Sequence, residues 1–203
     1  MKIRIVSISF IAILFSTIFP SVWIVTAKVA NGKETIIGLQ PGQNTTKVNS
    51  FSYNVVLNIS NNNRTSADPQ IDISGNNTYV VWSDDSPGNP DIFFTKSTDG
   101  GKTFSKPVNL SNNTRGSFDP VLAISKNHIY VAWDDDSPGN ADILFTKSTD
   151  RGDSFSIKPI NLSKNVGRSL YPDVAISRSN NSYIIWSDDT PGNYEVFLLR
   201  NVQ

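Results

Sequence analysis

Tyr79-Val80-Val81-Trp82-Ser83-Asp84-Asp85-Ser86-Pro87-Gly88-Asn89, followed two residues later by Ile92-Phe93-Phe94, is the stretch whose reading decides the fold. It returns as Tyr130-Val131-Ala132-Trp133-Asp134-Asp135-Asp136-Ser137-Pro138-Gly139-Asn140 before Ile143-Leu144-Phe145. A third copy runs Tyr183-Ile184-Ile185-Trp186-Ser187-Asp188-Asp189-Thr190-Pro191-Gly192-Asn193 before Val196-Phe197-Leu198. In each copy, β-branched and aromatic residues lead into a Pro-Gly-Asn turn and out again, the pattern of two strands joined by a tight connection. Trp82, Trp133 and Trp186 set the period. A period of about 50 residues with short β-type runs describes propeller blades or stacked sheets.

Working outward, one period holds four expected strands: near Ile71–Ser74 after a turn at Asp68-Pro69, then Thr78–Ser83, Asp91–Ser97 and Phe104–Leu110. No segment of the repeat shows a helical apolar period with caps, so the fold class is all-β. Leu57-Asn58-Ile59-Ser60 parallels Val108-Asn109-Leu110-Ser111 and Ile160-Asn161-Leu162-Ser163, so Tyr53–Ser60 reads as a fourth strand without its first three. Glu195–Arg200 reads as a third strand. The early strand is therefore expected to complete the last blade. Closed rings take about four to eight blades, and three complete blades predict a homodimer that pools two sets by strand exchange.

Ser97-Thr98-Asp99-Gly100-Gly101-Lys102-Thr103-Phe104 reads S-x-D-x-G-x-T-F, and Ser148-Thr149-Asp150-Arg151-Gly152-Asp153-Ser154-Phe155 repeats it with serine for threonine. The box falls on the hairpin between third and fourth strands, where Gly101 or Gly152 permits a positive φ and Asp99 or Asp150 accepts backbone amides. Phe104 and Phe155 are expected to pack beneath. The pattern resembles the Asp-box, or bacterial neuraminidase repeat, of the sialidase-like β-propeller superfamily, and the resemblance covers residues 51–203. It implies sialidase-like blades with a structural role for Ser97, Asp99, Gly101, Phe104, Ser148, Asp150, Gly152 and Phe155, on the face away from any active site.

The opposite face carries the repeated acidic loops. Asp84, Asp85, Asn89 and Asp91 recur as Asp135, Asp136, Asn140 and Asp142, and as Asp188, Asp189, Asn193 and Glu195. Paired carboxylates with an amide oxygen on a tight turn are hard oxygen ligands of the kind calcium takes. The same residues also suit a plain turn whose acids bond its backbone amides. No cofactor is required by either reading, and calcium is the one ion the pattern would accept.

Arg64, Arg115 and Arg168 enter the three repeats at equivalent places on that face. The resemblance implies a comparison with sialidases, which hold a substrate carboxylate with three arginines, and arginine's planar fork suits that task. Repeats of one position also suit a structural ion pair, with Asp68 and Asp119 as partners and Asp173 displaced in the last repeat. The sequence departs from the family elsewhere: the only Arg-Ile is Arg4-Ile5, Tyr194 and Glu195 are adjacent, and Tyr171 has no nearby glutamate. Glu34 and Glu195 are the only glutamates. Glycoside hydrolysis places two carboxyls asymmetrically about one bond, whereas near-identical repeats offer symmetry. No catalytic residue is therefore assigned. A non-catalytic recognition or surface-scaffold module for a glycan or extracellular protein is the leading expectation, with a sialidase-like exo-glycosidase as the alternative.

Composition sets further bounds. Lysine plus arginine equals aspartate plus glutamate at 18 each, which offers no global pull on nucleic acid. There is no cysteine, which removes disulfides and thiolate chemistry, and the single histidine, His128, cannot form a multi-His metal site or supply several triads. Lys2 and Arg4 precede an uncharged stretch from Ile5 to Ala27 that ends in Val25-Thr26-Ala27. That reads as a signal peptide over residues 1–27, or a signal anchor, with Pro20 arguing against a spanning helix. Residues 28–50 read as a flexible polar linker and 51–203 as the repeats of a secreted or cell-surface protein. Asn-x-Ser/Thr sequons at Asn44, Asn58, Asn63, Asn76, Asn109, Asn112, Asn161 and Asn180 fit an exported glycoprotein.

Overall fold

Every regular element described is a β-strand. The computed structural model describes residues 56–201 in full and the backbone of residues 23–30, 33–39 and 50–53. The chain divides into two units, residues 1–58 and 59–203.

In the first unit, β1 (Trp23–Ala30), β2 (Lys33–Leu39) and β3 (Ser50–Tyr53) form an antiparallel sheet in that order. β2 lies inside the stretch expected to be a polar linker. Thr35-Ile36-Ile37 is a β-branched run, and Ala30 pairs with Lys33 across Asn31-Gly32, the residue pair most favoured for two-residue hairpins. Most of the expected export signal lies outside the described residues.

The second unit holds three antiparallel sheets, one per sequence repeat. Blade 1 is β4 (Ser66–Ser74), β5 (Asn77–Asp84), β6 (Asp91–Ser97) and β7 (Val108–Asn109). Blade 2 is β8 (Ser117–Ser125), β9 (His128–Asp135), β10 (Asp142–Ser148) and β11 (Ile160–Asn161). Blade 3 is β12 (Ser169–Ile176), β13 (Ser182–Asp188) and β14 (Glu195–Arg200). The first strands of successive blades pack on one another, β4 on β8 and β8 on β12, so they lie innermost.

Two boundaries differ from expectation for a shared reason. The turn expected at Asp68-Pro69 is a bulge inside β4, where pairing slips between Ala67 and Gln70. Proline cannot donate to the ladder, and Asp68 takes a φ of 51° to let the strand pass. The fourth strands shrink to two residues because Pro107 and Pro159 precede them, so pairing begins only at Val108 and Ile160. The expected fourth strand at Tyr53–Ser60 is absent from the last blade here: Tyr53 belongs to β3, and Val56 and Leu57 are in no strand.

The cores lie between blades. Tyr79, Val81, Ile92 and Phe94 of blade 1 pack on Ile129, Val131 and Trp133 of blade 2. Tyr130, Ala132, Ile143 and Phe145 of blade 2 pack on Val174, Ile184 and Trp186 of blade 3. β9 serves both cores, which explains its unbroken apolar run from Ile129 to Trp133, as expected of a strand buried on both faces.

Phe155 carries the second box into the first core, with its ring edge-on to Phe94 at 4.8 Å. Gly152 has a φ of 78°, and a Cβ there would meet Phe94 Cζ at 2.6 Å and Ile129 Cδ1 at 3.0 Å. The same position in blade 1, Gly101, has a φ of 80° and meets only Thr78 Oγ1, at 3.9 Å. Gly101→Ala is therefore expected to cost only the left-handed backbone penalty, about 1 kcal/mol. Gly152→Ala adds overpacking, for a total of about 3 kcal/mol. Urea unfolding of both variants checks the difference, and equal losses would mean that blades 1 and 2 are not packed as described.

Candidate functional site

Three equivalent carboxylates organise one end of the blades. Asp84 Oδ2 accepts hydrogen bonds from Trp82 Nε1 at 2.9 Å, Ser66 Oγ at 2.7 Å and Asn62 Nδ2 at 2.7 Å. Asp135 Oδ2 accepts from Trp133 Nε1, Ser117 Oγ and Asn113 Nδ2 at 2.8, 2.8 and 2.9 Å. Asp188 Oδ2 accepts from Trp186 Nε1, Ser169 Oγ and Asn165 Nδ2. The second oxygen of each takes the amide two residues on, at Ser86, Ser137 and Thr190. Burial pushes Asp84 and Asp188 up, but hydrogen bonds from the turn, the tryptophan and the inner serine outweigh it and hold both at about 2.

The next loop acids are likewise occupied. Asp91 accepts from Asn109 and Ser111 at 2.7 and 2.8 Å, and Asp142 from Asn161 and Ser163 at 2.6 and 2.8 Å. Glu195 accepts from Asn193 at 2.8 Å. Asp85 and Asp189 accept the amides of Thr65 and Arg168. Asn89 and Asn140 tie neighbouring blades together. Their amides reach across to the next blade, donating to the carbonyls of Arg115 and Gly167. Among the described residues no group of three or more His, Cys, Asp or Glu side chains is placed to hold a metal. The sequons at Asn109 and Asn161 fall on these bonded amides.

Arg64, Arg115 and Arg168 are exposed where each blade begins. The ion pairs expected with Asp68 and Asp119 are not formed: among the described residues the only ion pair is Lys96–Asp153, at 2.6 Å. Asp68 and Asp119 instead occupy the bulges of the inner strands, and the third bulge is filled by Tyr171 rather than by a displaced Asp173. Their φ values are 51°, 47° and 55°. Left-handed backbone at non-glycine residues is uncommon, and such strain gathers at functional positions.

Asp134 completes this row. It stands where Ser83 and Ser187 stand in the other blades, opposite Phe118 in the β8–β9 ladder. It is 4% exposed, and its Oδ1 has no donor to accept from among the described residues. Burial pushes its pKa up to about 7, helped by the charge of Asp119 and opposed by the Tyr171 amide. Asp119 is also raised, by burial first and then by Asp68. Protonated, Asp134 can donate toward Asp119, whose charge favours that form. Asp68 and Tyr171 adjoin this pair, the latter 67% exposed. The row can accept and donate hydrogen bonds and present an aromatic face. The sequence signals for it were the breaks in the repeat, serine to aspartate at 134 and aspartate to tyrosine at 171. A separate groove lined by Val108, Asn109, Ser154 and Phe155 lies on the outer strands and contains none of these groups.

The boxes at the other end are turns. Asp99 accepts from the amides of Lys102 and Thr103 at 3.0 Å each and from Thr103 Oγ1 at 2.7 Å, while Ser97 Oγ takes the Gly101 amide at 2.9 Å. Ser148, Asp150, Gly152 and Ser154 repeat this set. Hydrogen bonds from the threonine or serine hydroxyl, and then from its amide, hold both aspartates well below the usual carboxylate range.

No protein-family model matches the chain, and no curated protein matches it. Solved structures do. A protein of unknown function from Dyadobacter fermentans matches with a TM-score of 0.56 at 13% identity, over 90% of this chain and 66% of that one. An ulvan lyase of polysaccharide lyase family PL25, solved with a bound saccharide, matches with a TM-score of 0.53 at 13% identity, over 86% of this chain and 47% of that one. The NanB sialidase of Streptococcus pneumoniae matches with a TM-score of 0.43 at 13% identity, over 88% of this chain and 27% of that one. The chain thus spans less than two thirds of each of these proteins. Its structural neighbours include a sialidase and a polysaccharide lyase, and the chain is an all-β protein of propeller-like blades.

Proposed function

We propose that this is an exported recognition module that binds a glycan on the inner-strand bulge row. The observation that carries the reading is the alignment of Asp68, Asp119 and Tyr171 at three left-handed bulges, with the buried Asp134 behind them. Carboxyl oxygens accept sugar hydroxyls, an exposed tyrosine ring covers a sugar's apolar face, and left-handed bulges hold both at fixed positions. Arg64, Arg115 and Arg168, exposed at the same end and free of ion pairs among the described residues, would take an anionic substituent. The ulvan lyase neighbour, solved with a polysaccharide fragment, lends the saccharide class to this reading.

Recognition rather than turnover is favoured because Asp68 and Asp119 are copies of one repeat position, and because Asp134 is too buried to reach a bond being cleaved. Titration calorimetry of the full chain with neutral and acidic oligosaccharides tests this. Tyr171→Ala is expected to weaken binding of both kinds at least tenfold, and Arg115→Ala only that of acidic ligands. Loss of neither would remove the row from consideration. Hydrolysis of a fluorogenic sialoside that disappears in Arg115→Ala would replace recognition with the exo-glycosidase reading.

A further inference from the structure

Blade 2 departs from the repeat at Asp134. Blade 1 has Ser83 there, whose hydroxyl donates to the Ser117 carbonyl at 3.0 Å, and blade 3 has Ser187. A serine therefore serves the fold at this position. A carboxylate has no proton to give, and the buried Asp134 Oδ1 finds no hydrogen-bond partner among the described residues. The charges that bear on Asp134 are those of Asp119 and Asp136, and the charge that bears on Asp119 is that of Asp68. None of these carboxyls is in an ion pair, since Lys96–Asp153 is the only one among the described residues. Like charges gathered without a counter-ion cost stability, and a ligand that brings the opposite charge relieves that cost.

We propose that the ligand of the bulge row carries a free amino group: an amino sugar whose ammonium is held by Asp68 and Asp119, with the Asp134 carboxyl behind them. This rests on the reading of the row as a glycan site and names the class of sugar it takes. The carboxyls come from the inner strands of blades 1 and 2 and the second strand of blade 2, and they are not gathered as a metal ion requires. An ammonium needs fewer of them, because its N–H donors can be shared between two carboxylates while the sugar hydroxyls occupy the remaining oxygens. Asp134 does not touch the sugar. Its charge acts from within the protein, where little water screens it. Tyr171, 67% exposed and joined through its amide to Asp134, completes the set, since an aromatic ring attracts a cation as well as a sugar's apolar face. Acetylation of the amine removes its charge, so the row separates amino sugars from their N-acetylated counterparts.

Titration calorimetry of the full chain at about pH 6, where an amine is charged, compares glucosamine oligomers with N-acetylglucosamine oligomers of the same length. The amino oligomer is expected to bind about tenfold more tightly at about 0.01 M salt, and to lose most of that advantage at about 1 M, where charges are screened beyond about 3 Å. Asp68→Asn/Asp119→Asn keeps an oxygen at each bulge and places there a residue that tolerates left-handed backbone. It is expected to keep the circular dichroism spectrum and to bring the two affinities within about threefold of each other. Equal binding of the two oligomers by the wild-type chain overturns the inference and leaves the glycan reading standing. A preference for the amine that survives the double variant overturns it too, because the amine is then read elsewhere. Binding of neither oligomer overturns it as well, and calorimetry with the other oligosaccharides then decides the glycan reading separately.

Discussion

Asp134→Asn is expected to stabilise the chain by about 3 kcal/mol near pH 8, by about 1 kcal/mol near pH 5, and by little below the unfolded value of about 3.9. An aspartate in the unfolded chain titrates near 3.9, whereas burial beside Asp119 holds Asp134 at about 7 in the folded one. Between those values the folded chain keeps a proton that the unfolded chain has released. Rising pH therefore erodes stability across that window, and the loss levels off above the folded pKa. About three pKa units at about 1.4 kcal/mol each would give about 4 kcal/mol, and sharing the proton with Asp119 brings this nearer 3. Asparagine cannot ionise, keeps an oxygen for the Tyr171 amide and offers an N–H to Asp119, so it imitates the protonated acid. Urea unfolding of both chains between about pH 5 and pH 8 measures the gap. Parallel curves would show that Asp134 is not held in its protonated form.

That residue also marks where the sequence stops being legible. The blade pattern could be read from Trp82, Trp133 and Trp186 because repetition repeats the physics: each tryptophan demands the same apolar neighbours and the same turn. The third strand of blade 1, at Asp91–Ser97, coincides with its expected bounds for this reason. Prolines were misread where their effect is three-dimensional. Asp68-Pro69 looks like a turn in one dimension, but inside a paired strand the missing amide produces a bulge. The loop acids were legible as clusters, not as roles, since Asp84 and Asp135 find their donors about 20 residues away, at Asn62, Ser66, Asn113 and Ser117. The bulge row was hidden because its members come from three inner strands and one second strand. Only their departure from the repeat, at Asp134 and Tyr171, gave them away.

The larger loss is expected at the neighbouring position, where Asp135→Ala should destabilise by about 4 kcal/mol. Asp135 joins three parts of its own blade and the loop that enters it. Its Oδ2 takes the indole N–H of Trp133 and the hydroxyl of Ser117, both 0% exposed, together with Asn113, while Oδ1 takes the Ser137 amide. Alanine strands two fully buried donors, each costing about 1–3 kcal/mol when left unmade. Asp135→Asn can still turn its oxygen toward those donors, but its amide then faces the Ser137 N–H, so about half the loss should remain. The same logic gives the chain an acid limit. Asp84 and Asp188, held at about 2 in the folded state and near 3.9 when unfolded, stabilise it fully above the unfolded value. That contribution is lost as pH falls through about 2, so Asp84→Asn should flatten the acid end of the stability curve while lowering its neutral plateau. Thermal melts of Asp135→Ala and Asp135→Asn against wild type decide the first point. If alanine were as well tolerated as asparagine, the tryptophan–aspartate–serine bonds would not be what locks each blade's second strand to its first.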